Sequence, residues 1–478
     1  MFEKIRGFFM NILGLFHNYS LKEITGIDTN LSSEMYNAIE LWSNMTSGNA
    51  PWNGKAPPCG VLEQIAGRLD MLVSREIGLE VKNEAIKSAM EHINKNVDKI
   101  VDYIVLIGGC IIRPIYTNGK LQYETLPLGN YLPIAYDFDG TLTGALILKQ
   151  IQNGSKKWLL TEKHTYENKT HTVECSLYRN EGGSLRKTTL TDCPQTAEIT
   201  PIYAWENVAF PMIIEFRNHA VNKVDGSNVP VPVIAGAEDL IKDADEQFER
   251  MNWEQKGGEM RIFADRDMFA KRQKRNGEAT GVKMTPELNR LLVQVEGDGS
   301  TEGKKITEHA PTLRTAAQNE MFQQILRRIE LTCNLGKGTI SDMESVQQTA
   351  TQYSGGRAEL YAIVDKIEDE IETKYHHTAA VLAHMAAAYG IGANNANIKV
   401  TWNNDATRKD ETAAKQMALQ EISAGVKNKW EYRKDFYGED EAQAKANAPV
   451  EPTPADLHPK KVTVLKVTGV ELVTLSYF

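Results

Sequence analysis

No apolar run in the 478-residue chain approaches the roughly eighteen residues a bilayer-spanning helix needs. Cysteine is scarce. The five present (Cys59, Cys110, Cys175, Cys193, Cys333) are an odd number with no Cys-x-x-Cys spacing. That excludes a disulfide framework or a zinc knuckle and predicts reduced, buried thiols in a cytosolic protein. An excess of basic charge is also missing. Lys and Arg number 54 against 63 Asp and Glu, a net charge of −9 with a pI near 5.7. This excludes a protein that grips nucleic acid with a broadly basic surface, but not one past which DNA slides. No internal repeat of fixed period occurs.

The remaining composition is ordinary. Hydrophobic residues are 41% and charged residues 24%, which excludes a disordered or collagen-like chain. A mass of 53.5 kDa allows about two to four domains. At the N-terminus, Met1–Phe16, Lys4 and Arg6 precede Phe8, Phe9, Met10, Ile12, Leu13, Leu15 and Phe16, in the order of a signal peptide. Asn11, Gly14 and His17 interrupt it and no small-residue cleavage site follows, so an amphipathic helix docked on protein is expected.

Residues 30–105 read mostly as helix. Ile65, Leu69, Leu72 and Val73 make one apolar stripe, and Ile93, Val97, Ile100, Val101 and Ile104 another, which stops at Gly108-Gly109. From there to about 215 the texture is strand and turn: Cys110–Tyr116, the Asn118-Gly119 turn, Leu121–Tyr123, then Lys157–Leu160 and Thr172–Leu177. After Pro230 and Pro232 a helix carries Ala237, Leu240, Ile241, Ala244, Phe248 and Met251 on one stripe and ends at Gly257-Gly258. Residues 258–308 are charged and weakly periodic. A second helix, Thr312–Thr332, has Met321, Phe322, Ile325, Leu326 and Ile329 as its apolar face. A loop rich in Gly, Ser and Thr (Asn334–Ala350) leads to the longest helix, about Ser354–Tyr389, with Leu360, Ile363, Val364, Ile367, Ile371, Tyr375, Leu382 and Met385 in register. A helix over 406–424 and a short helical stretch to Ala446 follow. Residues 449–459 are Pro-rich, and the last twenty alternate like a strand.

Several segments resemble catalytic motifs. Asp137-Phe138-Asp139-Gly140-Thr141-Leu142-Thr143 matches the nucleophile motif of haloacid-dehalogenase-type phosphatases, in which two carboxylates and magnesium handle phosphoryl transfer. That chemistry needs the end of a parallel strand, whereas Asp-Gly between extended runs is a strong hairpin signal, and the turn is the reading taken. Leu335-Gly336-Lys337-Gly338-Thr339 has the texture of a phosphate-binding loop but lacks the first glycine, the hydroxyl after the lysine and a preceding strand. His164 and His171 lie near Glu162 and Glu174, and His376, His377 and His384 share a helix. His377 and His384 stand too far apart to chelate one metal, so surface or packing roles are expected and no metal or cofactor is assigned. The basic cluster Lys271-Arg272-Gln273-Lys274-Arg275, flanked by Asp265, Asp267 and Glu278, could meet a protein partner or a phosphate backbone.

Read in order, these pieces resemble the portal proteins of long-tailed bacteriophages and their prophages, over about residues 50–450. The likeness rests on Trp52 and the Ile65–Ser74 helix followed by Glu76, on Asp102–Arg113 around Gly108-Gly109, and on Leu132-Pro133-Ile134 before Asp139-Gly140. It continues in Thr161-Glu162-Lys163-His164 with Leu177-Tyr178-Arg179-Asn180, and in Ala237–Glu254 with Asp243 and Asp245. Gly338-Thr339 followed by Thr349-Ala350-Thr351-Gln352, and Ile422–Val426 before Trp430, complete it. Gln352 and Gln348 depart from the family's usual acid and lysine, and Asn428, before Lys429, stands where it usually has Ser.

The resemblance implies an α+β portal fold. Its parts would be an N-terminal arm and mixed α/β wing (1–230), a stem helix (231–257), a small α/β clip (258–310), a second stem helix (311–333), a tunnel loop (334–350), a long wing helix (351–400), a helical crown (401–450) and a tail (451–478). It further implies a non-enzymatic, dodecameric ring at the capsid portal vertex of the virion, assembled in the host cytoplasm. Double-stranded DNA would pass through the channel, with terminase large subunit, head-tail adaptor, major capsid and scaffolding proteins as partners and no stable membrane partner. Gly336, Lys337, Gly338 and Thr339 would face the DNA, and Lys337 would touch phosphate through a mobile, reversible contact. Lys271, Arg272, Lys274 and Arg275 would meet clip partners. Two rival readings are a magnesium-dependent phosphatase using Asp137 and Asp139, and a membrane-associated scaffold using Met1–Phe16.

Overall fold

The computed structural model describes residues 26–27, 29, 31–75, 77–154, 156–181, 184–265, 272–273, 279–280, 291–295, 306–342, 350–402 and 411–448. Met1–Phe16 and the tail after 450 lie outside them. The chain divides into two units, Met1–Asn403 and Asn404–Phe478. The described part is mixed α and β, with ten α-helices and several sheets, most of them antiparallel.

Unit one opens with helices α1 (Ser33–Thr46) and α2 (Val61–Ser74). The Ser32 hydroxyl caps α1 by accepting from the Met35 amide. Strand β1 (Ile77–Val81) follows, then α3 (Glu84–Lys95), capped by Asn83, and α4 (Val97–Leu106). The 3.6-residue spacing of Ile65, Leu69, Ile86, Met90, Ile93, Ile100 and Ile104 puts all seven in the main core. Gly108, at φ +102°, lets the chain turn from α4 into sheet, and any side chain there would collide with the Pro230 carbonyl.

Strands β2 (Gly109–Thr117) and β3 (Lys120–Pro127) form the expected hairpin, with Asn118 and Gly119 both at positive φ (52° and 74°). Strands β4 (Tyr131–Tyr136), β5 (Leu142–Asn153), β6 (Lys156–Glu167), β7 (Thr170–Glu181) and β8 (Ser184–Thr188) run antiparallel in that order, and β9 (Ile202–Trp205) also pairs with β7. Alternation along these strands feeds two small clusters: Trp158, Leu160, Val173, Cys175 and Leu177 in one, Leu132, Leu146, Leu148, Leu159 and Tyr178 in the other. Strand β10 (Ile214–Arg217) then joins β2.

Helix α5 (Glu238–Gly257) leads into strands β11 (Arg261–Asp265), β12 (Arg272–Gln273), β13 (Ala279–Thr280), β14 (Leu292–Val295) and β15 (Ile306–His309). Here the sequence pattern gave no strands, yet β11 pairs parallel with β14 and antiparallel with β15. Helix α6 (Thr315–Thr332) follows, then α7 (Ala350–Ala388), 39 residues and about 58 Å long at 1.5 Å per residue. Leu360, Val364, Ile367, Ile371, Tyr375 and Leu382 of α7 are buried in the main core, and Ile363 packs against it half-buried. Strand β16 (Ile398–Trp402) closes the unit by pairing antiparallel with β1, Ile77 opposite Trp402 and Val81 opposite Ile398. The mostly helical pattern of residues 30–105 is thus interrupted by a strand at Ile77–Val81.

Unit two consists of α8 (Glu411–Ser423), α9 (Lys429–Tyr437) and α10 (Glu441–Asn447). Ala418 and Ala444 are its buried apolar residues among those described, while Met417, Leu419, Val426 and Tyr437 are exposed. Asp435 of α9 pairs with Lys427 in the preceding loop, Arg433 of α9 with Glu439 in the following one, and Lys445 of α10 lies over the Trp430 ring of α9. Among the described residues no helix is long and apolar enough to cross a membrane.

Candidate functional site

Helices α5 and α6 pack antiparallel as a pair, with the β11–β15 excursion between them. Glu254 accepts from the Arg314 amide and guanidinium and from Gln318, Gln247 bonds Gln318, and the Phe248 and Phe322 rings stand 6.1 Å apart. The Arg314 amide and side chain hold the Glu254 carboxyl below the usual carboxylate range. The inner half of the pair is embedded: Ile241, Ala244, Ile325, Leu326, Ile329 and Cys333 belong to the main core. Two indoles fasten α5 there, Trp42 donating to Glu238 (2.6 Å) and Trp52 to the buried Asp245 (2.9 Å).

The outer half differs. Trp253 is 70% exposed and Met321 51%, with Phe248 and Leu313 also exposed. Met321, expected on the buried face of α6, therefore lies outside it, because none of the described residues covers that end of the pair.

At the inner end, α6 runs into the Gly336-Lys337-Gly338-Thr339 segment. It is a tight turn. Asn334, Gly336 and Gly338 take positive φ (54°, 73°, 79°), and the Thr339 hydroxyl donates to the carbonyls of Leu335 (2.6 Å) and Gly336 (3.1 Å). The turn closes on Glu330, whose side chain is fully buried. Its Oε1 accepts from the amides of Ile340 (2.7 Å) and Ser341 (2.8 Å); its Oε2 accepts from the Gly338 amide (3.1 Å) and the Ser341 hydroxyl (2.8 Å). Among the described residues no cation pairs with this carboxylate, so amide and hydroxyl dipoles alone balance its charge.

The phosphate-loop texture thus has a physical meaning: the loop does cradle an anion, and the anion is the chain's own Glu330. Thr339, one residue beyond the position of a metal-binding hydroxyl, donates to backbone carbonyls. Lys337 is exposed between the two glycines, with no described partner. Its turn is held on both sides by these hydrogen bonds, and the side chain itself is left exposed. Residues 343–349, the rest of the expected tunnel loop, lie outside the described residues. So do Lys271, Lys274 and Arg275 of the basic cluster, and of Arg272 only the backbone, in β12, is described.

The Asp137–Thr141 segment is the turn between antiparallel β4 and β5, not the end of a parallel strand. The Asp137 amide donates to the Thr141 carbonyl (2.9 Å), Gly140 sits at φ +83°, and Asp139 Oδ1 accepts from the Thr141 amide (2.9 Å), which holds that carboxyl below its usual range. Arg217 donates to the Gly140 carbonyl (3.0 Å) from behind. Both carboxylates serve the turn, and Phe138 projects fully exposed from its tip.

The histidines pack. The Met212 amide donates to His171 Nδ1 (3.3 Å), which assigns the proton to Nε2 and its bond to His164 Nδ1 (3.0 Å). His164 then turns Nε2–H toward Glu162, 3.6 Å away, and Glu162 pairs with Arg113. Burial drives His171 down to about 3 and lowers His164. Burial alone would raise the Glu162 carboxyl, but His164 and Arg113 outweigh it and hold it at about 2. On the other face of the same peptide unit, His377 of α7 donates Nε2–H to the Pro211 carbonyl (3.1 Å), and burial lowers it to about 4. Two neutral histidines thus clamp the Pro211–Met212 peptide, one from β7 and one from α7. Among the described residues no group of three His, Cys, Asp or Glu could hold a metal ion.

All five thiols are free, four buried and Cys59 half-buried; burial pushes Cys59, Cys175 and Cys333 up to about 12, which leaves them unreactive. The sequence reading missed Glu330. Beside Arg327 and Arg328 it passes for part of a charged face, and its partners are mostly backbone amides, which no side-chain pattern reveals. The sequence matches no protein-family model and no curated protein.

Proposed function

We propose that the chain is the subunit of a phage portal, a closed ring of about twelve copies through which double-stranded DNA enters and leaves a capsid. The observation that carries this reading is the α5–α6 pair, whose inner half is buried in its own chain and whose outer half leaves Phe248, Trp253 and Met321 uncovered. Neighbouring copies in a ring would bury those side chains. The excursion β11–β15 between the helices fits a clip, and the unit carrying α7 and the six-stranded sheet fits a wing. On this reading the clip meets the terminase large subunit and then the head-tail adaptor, the wing meets capsid and scaffolding proteins, and the place of work is the portal vertex of the virion. The net charge of −9 per chain keeps the ring's body from holding DNA by general attraction, so local contacts such as Lys337 act alone.

Native mass measurement with negative-stain class averages tests this. The expected result is a ring with a central channel at about 640 kDa, roughly twelve times the 53.5 kDa chain. A monodisperse monomer or dimer that never closes, even with capsid protein present, overturns it. Phosphatase activity lost in Asp137→Asn, or liposome flotation lost on deleting Met1–Phe16, would put one of the rival readings in its place.

A further inference from the structure

We propose that Glu330 is the positioning residue for Lys337, fixing where the turn presents its ammonium to a phosphodiester backbone. The inference rests on the portal reading for its ligand but on the geometry of the turn for its mechanism. Lys337 lies between two glycines in the left-handed region, a stretch that would sample many conformations if left alone. Two sets of hydrogen bonds remove that freedom. On one side Thr339 Oγ1 holds the carbonyls of Leu335 and Gly336; on the other, Glu330 gathers Gly338, Ile340 and Ser341.

Each Glu330 oxygen takes two donors, so a carboxylate satisfies the arrangement and no neutral isostere does. In Glu330→Gln the amide NH2 would face either the Gly338 amide, donor against donor with only the Ser341 hydroxyl free to turn and accept, or the Ile340 and Ser341 amides, both donor against donor. With the carboxylate in place only the lysine side chain remains to be ordered on contact with phosphate, because the ordering of the backbone is already complete. Glu330 itself, fully buried, touches no ligand.

The experiment uses the full-length protein in whatever assembly it forms, with random-sequence double-stranded DNA as the probe. Limited trypsin digestion reports on the mount, since Lys337 is cleavable only when its turn opens. Glu330→Gln is expected to speed cleavage after Lys337 at least tenfold while cleavage in unit two is unchanged, and Ser341→Ala, which removes one donor and keeps the carboxylate, is expected to fall between. Lysine-directed cross-linking to DNA reports on the contact. Lys337→Ala and Glu330→Gln are each expected to lose the cross-link mapped to this turn and to flatten the salt dependence of DNA retention. The double variant is expected to be no worse than Lys337→Ala alone, since the two residues act through one contact.

Unchanged trypsin cleavage in both Glu330→Gln and Ser341→Ala overturns the anchoring, whatever the DNA does. Faster cleavage with a cross-link lost in Lys337→Ala but kept in Glu330→Gln overturns the positioning. Faster cleavage with no DNA effect of Lys337→Ala leaves the anchor standing and overturns the assignment of DNA to this turn.

Discussion

The inner and outer halves of the α5–α6 pair have similar composition and opposite surroundings. The inner half buries Ile241, Ala244, Ile325 and Ile329 and is held by two indole-to-carboxylate bonds; the outer half leaves Trp253, Met321 and Phe248 uncovered and is held by Glu254 with Arg314 and Gln318. Amphipathic pattern reports that a face is to be covered, without saying by what. Within one pair the cover is partly the chain itself and, on the proposed reading, partly a neighbouring copy.

The comparison is tested most strongly at Ile329, which is fully buried. Ile329→Ala should destabilise the chain by about 2–5 kcal/mol through lost burial and the cavity left behind, read as a lowered denaturant midpoint. A smaller change would mean that the inner half is less tightly built than its packing indicates.

Acid should loosen the body that holds the inner half. His171 and His377 are neutral in the folded state, with values lowered to about 3 and about 4, while the unfolded chain takes up protons near 6.5. Stability from these rings is therefore complete well above pH 6.5 and falls as the pH drops through it, by about 1.5 kcal/mol per histidine between pH 6.5 and 5. Replacing His377 with Gln should remove its share of that slope in pH-dependent unfolding. An unchanged slope would mean that other groups set it.

Asp102, on α4, works in the opposite sense. Burial, then Asp70 and Asp98, push its carboxyl up to about 6, so it contributes stability at low pH that is lost as the pH rises through 6. Asp102→Asn should stabilise the chain by about 1 kcal/mol at pH 8 once solvent screening is allowed for, and not at pH 4.

The smallest effect belongs to the outer half. Trp253→Ser should change the stability of the isolated chain by less than about 0.5 kcal/mol while lowering the fraction found as rings by native mass measurement. A large loss of chain stability, or rings formed as readily as before, would erase the distinction between the halves.

How far the sequence could be read depends on how local each signal is. Asn118-Gly119 announced its hairpin because the turn's φ values are set by those two residues alone. The α7 stripe from Leu360 to Leu382 was legible because its period persists for six turns or so. Strand β1 was missed although Ile77, Leu79 and Val81 alternate, since its partner Ile398–Trp402 lies at the far end of the unit. The short strands of the excursion escaped notice among charged neighbours. At the candidate site, Gly336, Lys337, Gly338 and Thr339 stood out by type, and their organiser did not, because Glu330 works through main-chain amides.

The β1–β16 pair also has a mechanical consequence. The chain leaves β16 at Trp402, the end that faces the start of β1 at Ile77. Tension passed along the backbone from Asn403 would therefore load the ladder one rung at a time, from Trp402 toward Ile398, in a peeling geometry rather than in shear. The first rung to feel it is the one whose Trp402 indole also donates to Glu372 of α7 (2.9 Å), so that bond and the ladder would share the load.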